Sequence, residues 1–278
     1  MKVVVTGASG FLGNRVVEKL MARGVEVCAV ARQPLKFSNS QVVNNYLDTP
    51  KGDVLIHLAE NSDRGQVNKI GHAYLVESAN IAKALISKGF GRTVFASSAA
   101  VYGDRSTKLH KPTDCVVGDD VYAKAKLESE KIFQNSNGVI ARLSNLYGIG
   151  MSPENVFSSV INQLLYADDI KVWNDKPIRD FLWIDDAADA LVAMTLEEAE
   201  GIYNVASGRA VSIREFINTA LMVSDIDKKH SVTVTKPNEV YSAIMLDISQ
   251  TYDSFDWIPK MELENGIRYL LNKEVRIQ

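Results

Sequence analysis

Short apolar runs separated by amphipathic stretches set the rhythm of the first half of the chain. Lys2–Thr6 is an apolar run ending at Gly7, and a helically periodic stretch follows from Phe11 to Ala22, stopping at Gly24. Val25–Ala31 is a second apolar run and Asp53–Leu58 a third, with a weaker strand pattern over Gln41–Tyr46. A helix with alanine and isoleucine on one face is predicted over His72–Ser87, before Gly89. Thr93–Ser97 reads as strand, Asp120–Phe133 as helix and Val139–Leu143 as strand. Apolar strands alternating with helices imply an α/β protein whose parallel sheet is covered on both faces.

After about Asn145 the pattern changes. Asn155–Tyr166 and Asp185–Glu198 read as helices, Ile202–Val205 and Ser231–Thr235 as short strands, and Asn238–Tyr241 as a loop. No Pro/Gly/Ser-rich linker separates the halves, so a smaller lobe packed on the first is expected rather than a tethered module.

Gly7, Gly10 and Gly13 follow the first strand and open the first helix. A diphosphate site needs a tight turn, close backbone approach and close helix–strand packing there, all of which a Cβ hinders. The helix N-terminus adds unpaired N–H groups for the negative charge. The expected architecture is a Rossmann-type doubly wound parallel sheet over residues 1–146, with a returning segment near 178–206. A smaller C-terminal α/β substrate-binding lobe is expected over 147–278.

The length of 278 residues and 46% apolar content allow a sizeable core. A net charge of −3 argues against a dedicated nucleic-acid or anionic-membrane partner. Cys28 and Cys115 have no metal-ligand spacing and form no disulfide framework, so both are expected as reduced thiols. The first strand starts at Lys2 and no apolar run reaches membrane-span length, which gives the expectation of a cytoplasmic protein.

Tyr122 and Lys126 stand four residues apart in the predicted Asp120–Phe133 helix. That spacing puts a phenol and an ammonium on one helix face, one turn apart. A nearby ammonium favours the phenolate form and makes a phenol usable as a proton shuttle near neutrality. With the glycine loop, the pair indicates nucleotide-dependent redox chemistry.

These pieces together resemble the extended short-chain dehydrogenase/reductase family: nucleotide-sugar epimerases, dehydratases and ketoreductases. The likeness runs through Thr6-Gly7-Ala-Ser-Gly10-Phe-Leu-Gly13, His57-Leu58-Ala59 and Ala96-Ser97-Ser98-Ala99-Ala100-Val101-Tyr102-Gly103. It continues through Tyr122-Ala-Lys-Ala-Lys126, Arg142-Leu-Ser-Asn145-Leu-Tyr-Gly148, Arg179-Asp180-Phe-Leu-Trp-Ile-Asp-Asp186 and Asn204-Val-Ala-Ser-Gly208. Trp257-Ile-Pro259 followed by Leu263-Glu-Asn-Gly266 resembles the family's closing pattern.

The resemblance implies roles. Gly7, Gly10, Phe11, Leu12, Gly13, Leu58 and Ala59 would line the cofactor. Ser98 would hydrogen-bond the reacting sugar oxygen, Tyr122 would transfer the proton, and Lys126 would bond the nicotinamide ribose. Asn145, Arg179 and Lys236 match positions that contact the nucleotide-sugar diphosphate, although an Arg179–Asp180 surface ion pair is nearly as well supported. Relatives commonly form homodimers through the tyrosine-bearing helix and the long helix before it. The alanine–isoleucine face at Ala79–Ile86 permits this, and would equally serve to pack on the sheet.

Departures narrow the chemistry. The family's 4,6-dehydratases carry Thr-Asp-Glu where Ala99-Ala100 stand here, and methyl groups move no protons. Two readings stay open: a ketoreductase, or a 4-epimerase working through a transient ketone. The end of the second strand reads Val30-Ala31-Arg32-Gln33, without the carboxylate that NAD sites use for the ribose. Arg32 could pair with a 2′-phosphate, which leans the reading to NADP over NAD. Ala73-Tyr74-Leu75-Val76-Glu77 also lacks the asparagine and Gly-Thr of many epimerases. His110, Lys111 and Cys115 are further acid–base candidates, more readily read as loop residues. A non-catalytic NADP-binding sensor on the same fold is the competing class, though such sensors usually lack the tyrosine or lysine.

Overall fold

The computed structural model describes residues 1–224, 230–237 and 242–275; the loop expected at 238–241 lies outside them. The first part of the chain forms β1 (Lys2–Thr6), α1 (Phe11–Ala22), β2 (Glu26–Ala31), β3 (Ser40–Val42), β4 (Val54–His57), α2 (Arg64–Ile70), α3 (His72–Ile86), β5 (Arg92–Ser98), β6 (Arg105–His110), α4 (Val121–Gln134) and β7 (Gly138–Leu143). There follow β8 (Asn145–Tyr147), α5 (Val156–Tyr166), β9 (Asp169–Val172), β10 (Ile178–Trp183), α6 (Ile184–Leu196) and β11 (Gly201–Val205). The chain closes with β12 (Ala210–Ser212), α7 (Ile213–Val223), β13 (Ser231–Val234), β14 (Ala243–Leu246), α8 (Ser249–Phe255) and α9 (Leu263–Val275).

Seven strands form one sheet in the order β11-β7-β5-β4-β1-β2-β3, every neighbouring pair parallel. Successive side chains leave a strand on opposite faces, and the burial follows that rule. Val3 and Val5 join Val16, Leu20, Leu191 and Met194 of α1 and α6 on one side. Val4 joins Ala82, Leu85 and Phe133 of α3 and α4 on the other. Both faces are thus apolar, which is why these strands read as continuous rather than alternating runs. The alanine face of α3 is spent on the sheet, since Ala82 and Leu85 pack beside Leu55 and Phe95.

The second lobe forms around β10, in the order β12-β10-β14-β6 with β8 also on β10. An aromatic cluster of Tyr147, Phe157, Phe181, Trp183 and Phe216 fills it. After β10 the chain returns to the large sheet, with α6 against α1 and β11 in register with β7 from Gly201↔Val139 to Val205↔Leu143. Strand order reverses between β1 and β4, the place where parallel sheets leave a crevice at the carboxyl ends of their strands.

Two local differences from the sequence reading have physical reasons. The strand expected over Gln41–Tyr46 is only Ser40–Val42, because the Asn45 side chain accepts from Leu47 N at 3.0 Å and starts a 3₁₀ turn. Helix α7 went unread although Ser212 and Glu215 form a capping box at its start, a pattern visible in the residues themselves.

His57 ends β4 in the core, with Nδ1 hydrogen-bonded to Thr6 Oγ1 at 2.7 Å and its ring stacked on Phe133. Burial, helped by the nearby Lys126 ammonium, pushes its pKa down to about 3. A folded-state value below the unfolded 6.5 means that the neutral ring's stability is fully present above 6.5 and is lost as pH falls towards 3. Between pH 7 and 4 the wild type should lose up to about 1.4 kcal/mol per pH unit more than His57→Gln, read from urea midpoints.

Candidate functional site

The crevice begins at the glycine loop. Gly7 has φ +72°, and a Cβ there would stand 2.6 Å from Leu58 O and 2.9 Å from Ala59 Cα. A Cβ at Gly13 would collide with the Gly7 carbonyl, so α1 lies as close to β1 as backbone allows. Gly10 is the N-cap of α1, with no side-chain cap and no acidic residue in the first turn. Ser9 and Gly10 are exposed, and Phe11 and Leu12 are half-buried. The first-turn N–H groups therefore lack a side-chain acceptor and suit an anionic ligand. Leu58 and Ala59 form the opposite lip of the loop.

Arg32 leaves the end of β2 into solvent, its guanidinium carbon 5.7 Å from the Tyr46 ring centroid. Tyr46 is buried, which pushes its pKa up, although the Arg32 charge and a hydrogen bond from the Gly7 backbone oppose this. Arg32, Tyr46, His57, Glu60 and Tyr74 line a cavity of about 300 Å³ running from the end of β2 along α2 and α3.

Helix α4 carries the phenol and the ammonium. Asp120 caps it by accepting from Ala123 N at 2.9 Å, and is itself held by Arg64 Nε at 2.5 Å and Asn68 Nδ2 at 2.9 Å. Asn68 Oδ1 in turn accepts from Tyr122 N at 3.1 Å, so α2 fixes the first turn of α4 from outside. Tyr122 packs with Val67 and Ala100. Lys126 is buried with its ammonium 5.9 Å from the Tyr122 ring centroid and 5.1 Å from that of Phe95. The ammonium donates to Ala96 O at 2.9 Å and lies 2.9 Å from Glu60 Oε2. Burial works to strip its proton, but Glu60, Tyr122 and Tyr74 together outweigh it and hold the lysine above its ordinary range.

Ser98 ends β5, and its Oγ accepts from Ala100 N at 3.2 Å, which leaves the hydroxyl proton available. Ala99 and Ala100 are buried against the neighbouring side chains. A charged network holds this turn from below. Arg142 pairs with Glu130 at 2.7 Å, Glu130 accepts from Ser97 Oγ at 2.5 Å, and Arg142 Nη1 reaches Tyr102 Oη at 2.9 Å. Asn204 Oδ1 accepts from Tyr102 Oη at 2.8 Å.

On the small-lobe side, Asn145 is exposed at the start of β8, in register with Phe181 of β10. Arg179 does not pair with Asp180. Its guanidinium donates to Ile178 O, Ser242 O and, at 2.7 Å, Ser242 Oγ, which donates to Asp104 Oδ2 at 2.9 Å. Asp180 is buried instead, accepting from Ser207 N at 2.7 Å, and burial pushes its pKa up to about 6. Lys236 holds its ammonium 3.7 Å above the Trp173 ring. His110 is no loop residue: it ends β6, buried and stacked on Tyr102 at 4.7 Å. Burial lowers its pKa. Cys28 is buried and Cys115 exposed, both as free thiols. Among the described residues no His/Cys/Asp/Glu cluster could hold a metal ion, and no helix is long and apolar enough to cross a membrane.

The glycine loop and the strand-end serine thus leave β1 and β5, the strands on either side of β4, with Lys126 bonded to Ala96 O of β5, and the pattern of the NAD dependent epimerase/dehydratase family model matches residues 3–206. The chain belongs to that family. It is an enzyme of the family. A dTDP-4-dehydro-6-deoxyglucose reductase of Escherichia coli is 24% identical over 99% of this chain and 97% of its own. A dTDP-L-rhamnose 4-epimerase of Burkholderia thailandensis is 24% identical over 96% of this chain and 93% of its own. The fold superposes with a TM-score of 0.85 on MoeE5 in complex with UDP-glucose and NAD, at 22% identity, covering 100% of this chain and 99% of that one. Reductases and epimerases stand side by side among the family relatives.

Sequence reasoning missed Glu60, Ser129, Tyr46 and the Arg64–Asn68–Asp120 cap. For Glu60 the signal was its place directly after His57-Leu58-Ala59, for Ser129 its spacing of three from Lys126, and for Asp120 its place at the start of the predicted helix; for Tyr46, Arg64 and Asn68 no local pattern existed. The Arg142–Glu130 pair yields a stability test. Glu130→Ala strands a guanidinium in the interior and should cost about 3–5 kcal/mol. Glu130→Leu with Arg142→Met should recover most of it in chemical denaturation, showing the penalty to be the unpaired charge.

Proposed function

We propose that this enzyme reduces a keto group on the sugar of a nucleotide-sugar, with Tyr122 as proton donor. The observation that carries the reading is the buried Tyr122/Lys126 pair with Ala100 packed against the phenol, where an eliminating enzyme needs a proton-transferring side chain. Reduction at a carbonyl builds negative charge on oxygen, and needs one group to donate the proton and a second to fix the oxygen. Ser98 suits the second task, because its Oγ takes the Ala100 N–H and keeps its own O–H free to donate. Arg179 retains donors beyond those used on Ile178 and Ser242, which suit a diphosphate.

The residues fit a nicotinamide dinucleotide: an uncapped α1 N-terminus and a glycine loop pressed against Leu58 and Ala59 for the diphosphate, and Lys126 for the far ribose. When bound, that cofactor supplies the hydride. The end of β2 offers a guanidinium and no carboxylate, so we favour NADP read by Arg32. A 4-epimerase is the alternative reading, supported by the epimerases among the relatives, since the same three side chains would serve it.

The test is a screen of 4-keto and 4-hydroxy nucleotide-sugars with both cofactors, following absorbance of the reduced nicotinamide. Net oxidation of NADPH by a keto-sugar supports the reductase; interconversion of 4-hydroxy sugars with no net cofactor change establishes the epimerase instead. In the responsive assay, Tyr122→Phe should lower kcat about 10²–10⁴-fold while cofactor Kd changes less than about threefold. Arg32→Asp should move cofactor preference towards NAD, as the ratio of kcat/KM for the two; an unchanged ratio removes Arg32 as the phosphate reader.

A further inference from the structure

A carboxylate buried beside a catalytic lysine is costly unless the arrangement uses its charge. The Glu60 side chain is 5% exposed, with Oε2 2.9 Å from Lys126 Nζ. Its Oε1 accepts from Ser129 Oγ at 2.5 Å. Ser129 lies three residues after Lys126, so one face of α4 presents both the ammonium and the hydroxyl that orients its partner. Lys126 spends another N–H on Ala96 O, in the strand that ends at Ser98.

We propose that Glu60 is a positioning residue for Lys126: oriented by Ser129, its carboxylate pins the ammonium to the crevice floor between β5 and α4. The proposal goes beyond the reductase reading and rests on it only for the task given to Lys126. The groups facing the ammonium are Glu60 and His57 from the end of β4, Tyr74 from α3, Tyr122 from its own helix, and the Phe95 ring from β5. His57 is neutral, since burial takes its pKa to about 3, and burial followed by the Glu60 charge pushes Tyr74 up to about 12. The carboxylate that meets the ammonium is that of Glu60, 2.9 Å away. Without it, burial loses its largest opponent at Lys126 and draws the proton off at lower pH.

The direct test is ¹³Cε NMR of lysine-labelled full-length protein without cofactor, with the Lys126 signal assigned by its loss in Lys126→Met. Wild-type Lys126 should remain charged at about pH 10, whereas in Glu60→Gln its signal should titrate at least about two pH units lower. Superimposable titrations would overturn the proposal. Should Glu60→Gln fail to fold, Ser129→Ala decides: a titration displaced downwards supports it, and an unmoved one rejects it. A second readout is NADPH affinity against pH by calorimetry. Wild-type Kd should vary less than about threefold between pH 7 and 9, and that of Glu60→Gln should weaken about tenfold or more. A pH-independent loss would make Glu60 merely structural and sink the proposal. Wild-type protein that binds neither NADPH nor NADH would refute the cofactor reading, while the NMR titration still decides on Glu60.

Discussion

An ammonium held in a dry crevice must have a negative partner, and most of the site is arranged around that requirement. Lys126 is buried on α4, and its charge is met by Glu60 from the end of β4 and by the Ala96 carbonyl from β5. Three elements of the large sheet and its covering layer therefore converge on one atom. The phenol of Tyr122, the serine at the end of β5 and the glycine loop at the end of β1 take their relative positions from the same strand ends. Parallel strands in fixed register make this possible: Thr6 pairs with His57 and His57 with Phe95, so loops leaving those strands emerge side by side.

The second constraint is rigidity in the outer supports. Arg142 and Glu130, both buried, tie β7 to α4 beneath the Ser97–Ser98 corner. Alone, each charge would be a liability; paired, with Tyr102 and Ser97 completing the donors and acceptors, they hold the corner still. On the outside, the short helix α2 delivers Arg64 and Asn68 to the Asp120 cap, so the turn bearing Tyr122 is fixed at its start. These contacts hold in place the turns that carry Tyr122 and the Ser97–Ser98 corner.

The chemistry is limited as much by what is missing as by what is present. Buried Ala99 and Ala100 follow Ser98, with Ala100 packed beside Tyr122, and their methyl groups move no protons. Arg179, tied to Ser242 and through it to Asp104, links the turn after Tyr102 to the strands of the small lobe.

Features that depend on a few adjacent residues were legible in the sequence. The glycine loop, the strands of the large sheet, the Tyr122/Lys126 spacing and the serine corner are local patterns, because turn geometry, strand pleat and helix period act over fewer than about ten residues. The small lobe was less legible: β6, β10 and β14 have partners far along the chain, and pairing rather than periodicity makes them strands. Who neutralises whom belonged to the tertiary structure alone. Glu60 and Lys126, or Arg64 and Asp120, are tens of residues apart, and Arg179 proved to bond Ser242 rather than its neighbour Asp180. Charge pairing in a dry interior depends on distance and burial, and both exist only once the chain has closed on itself.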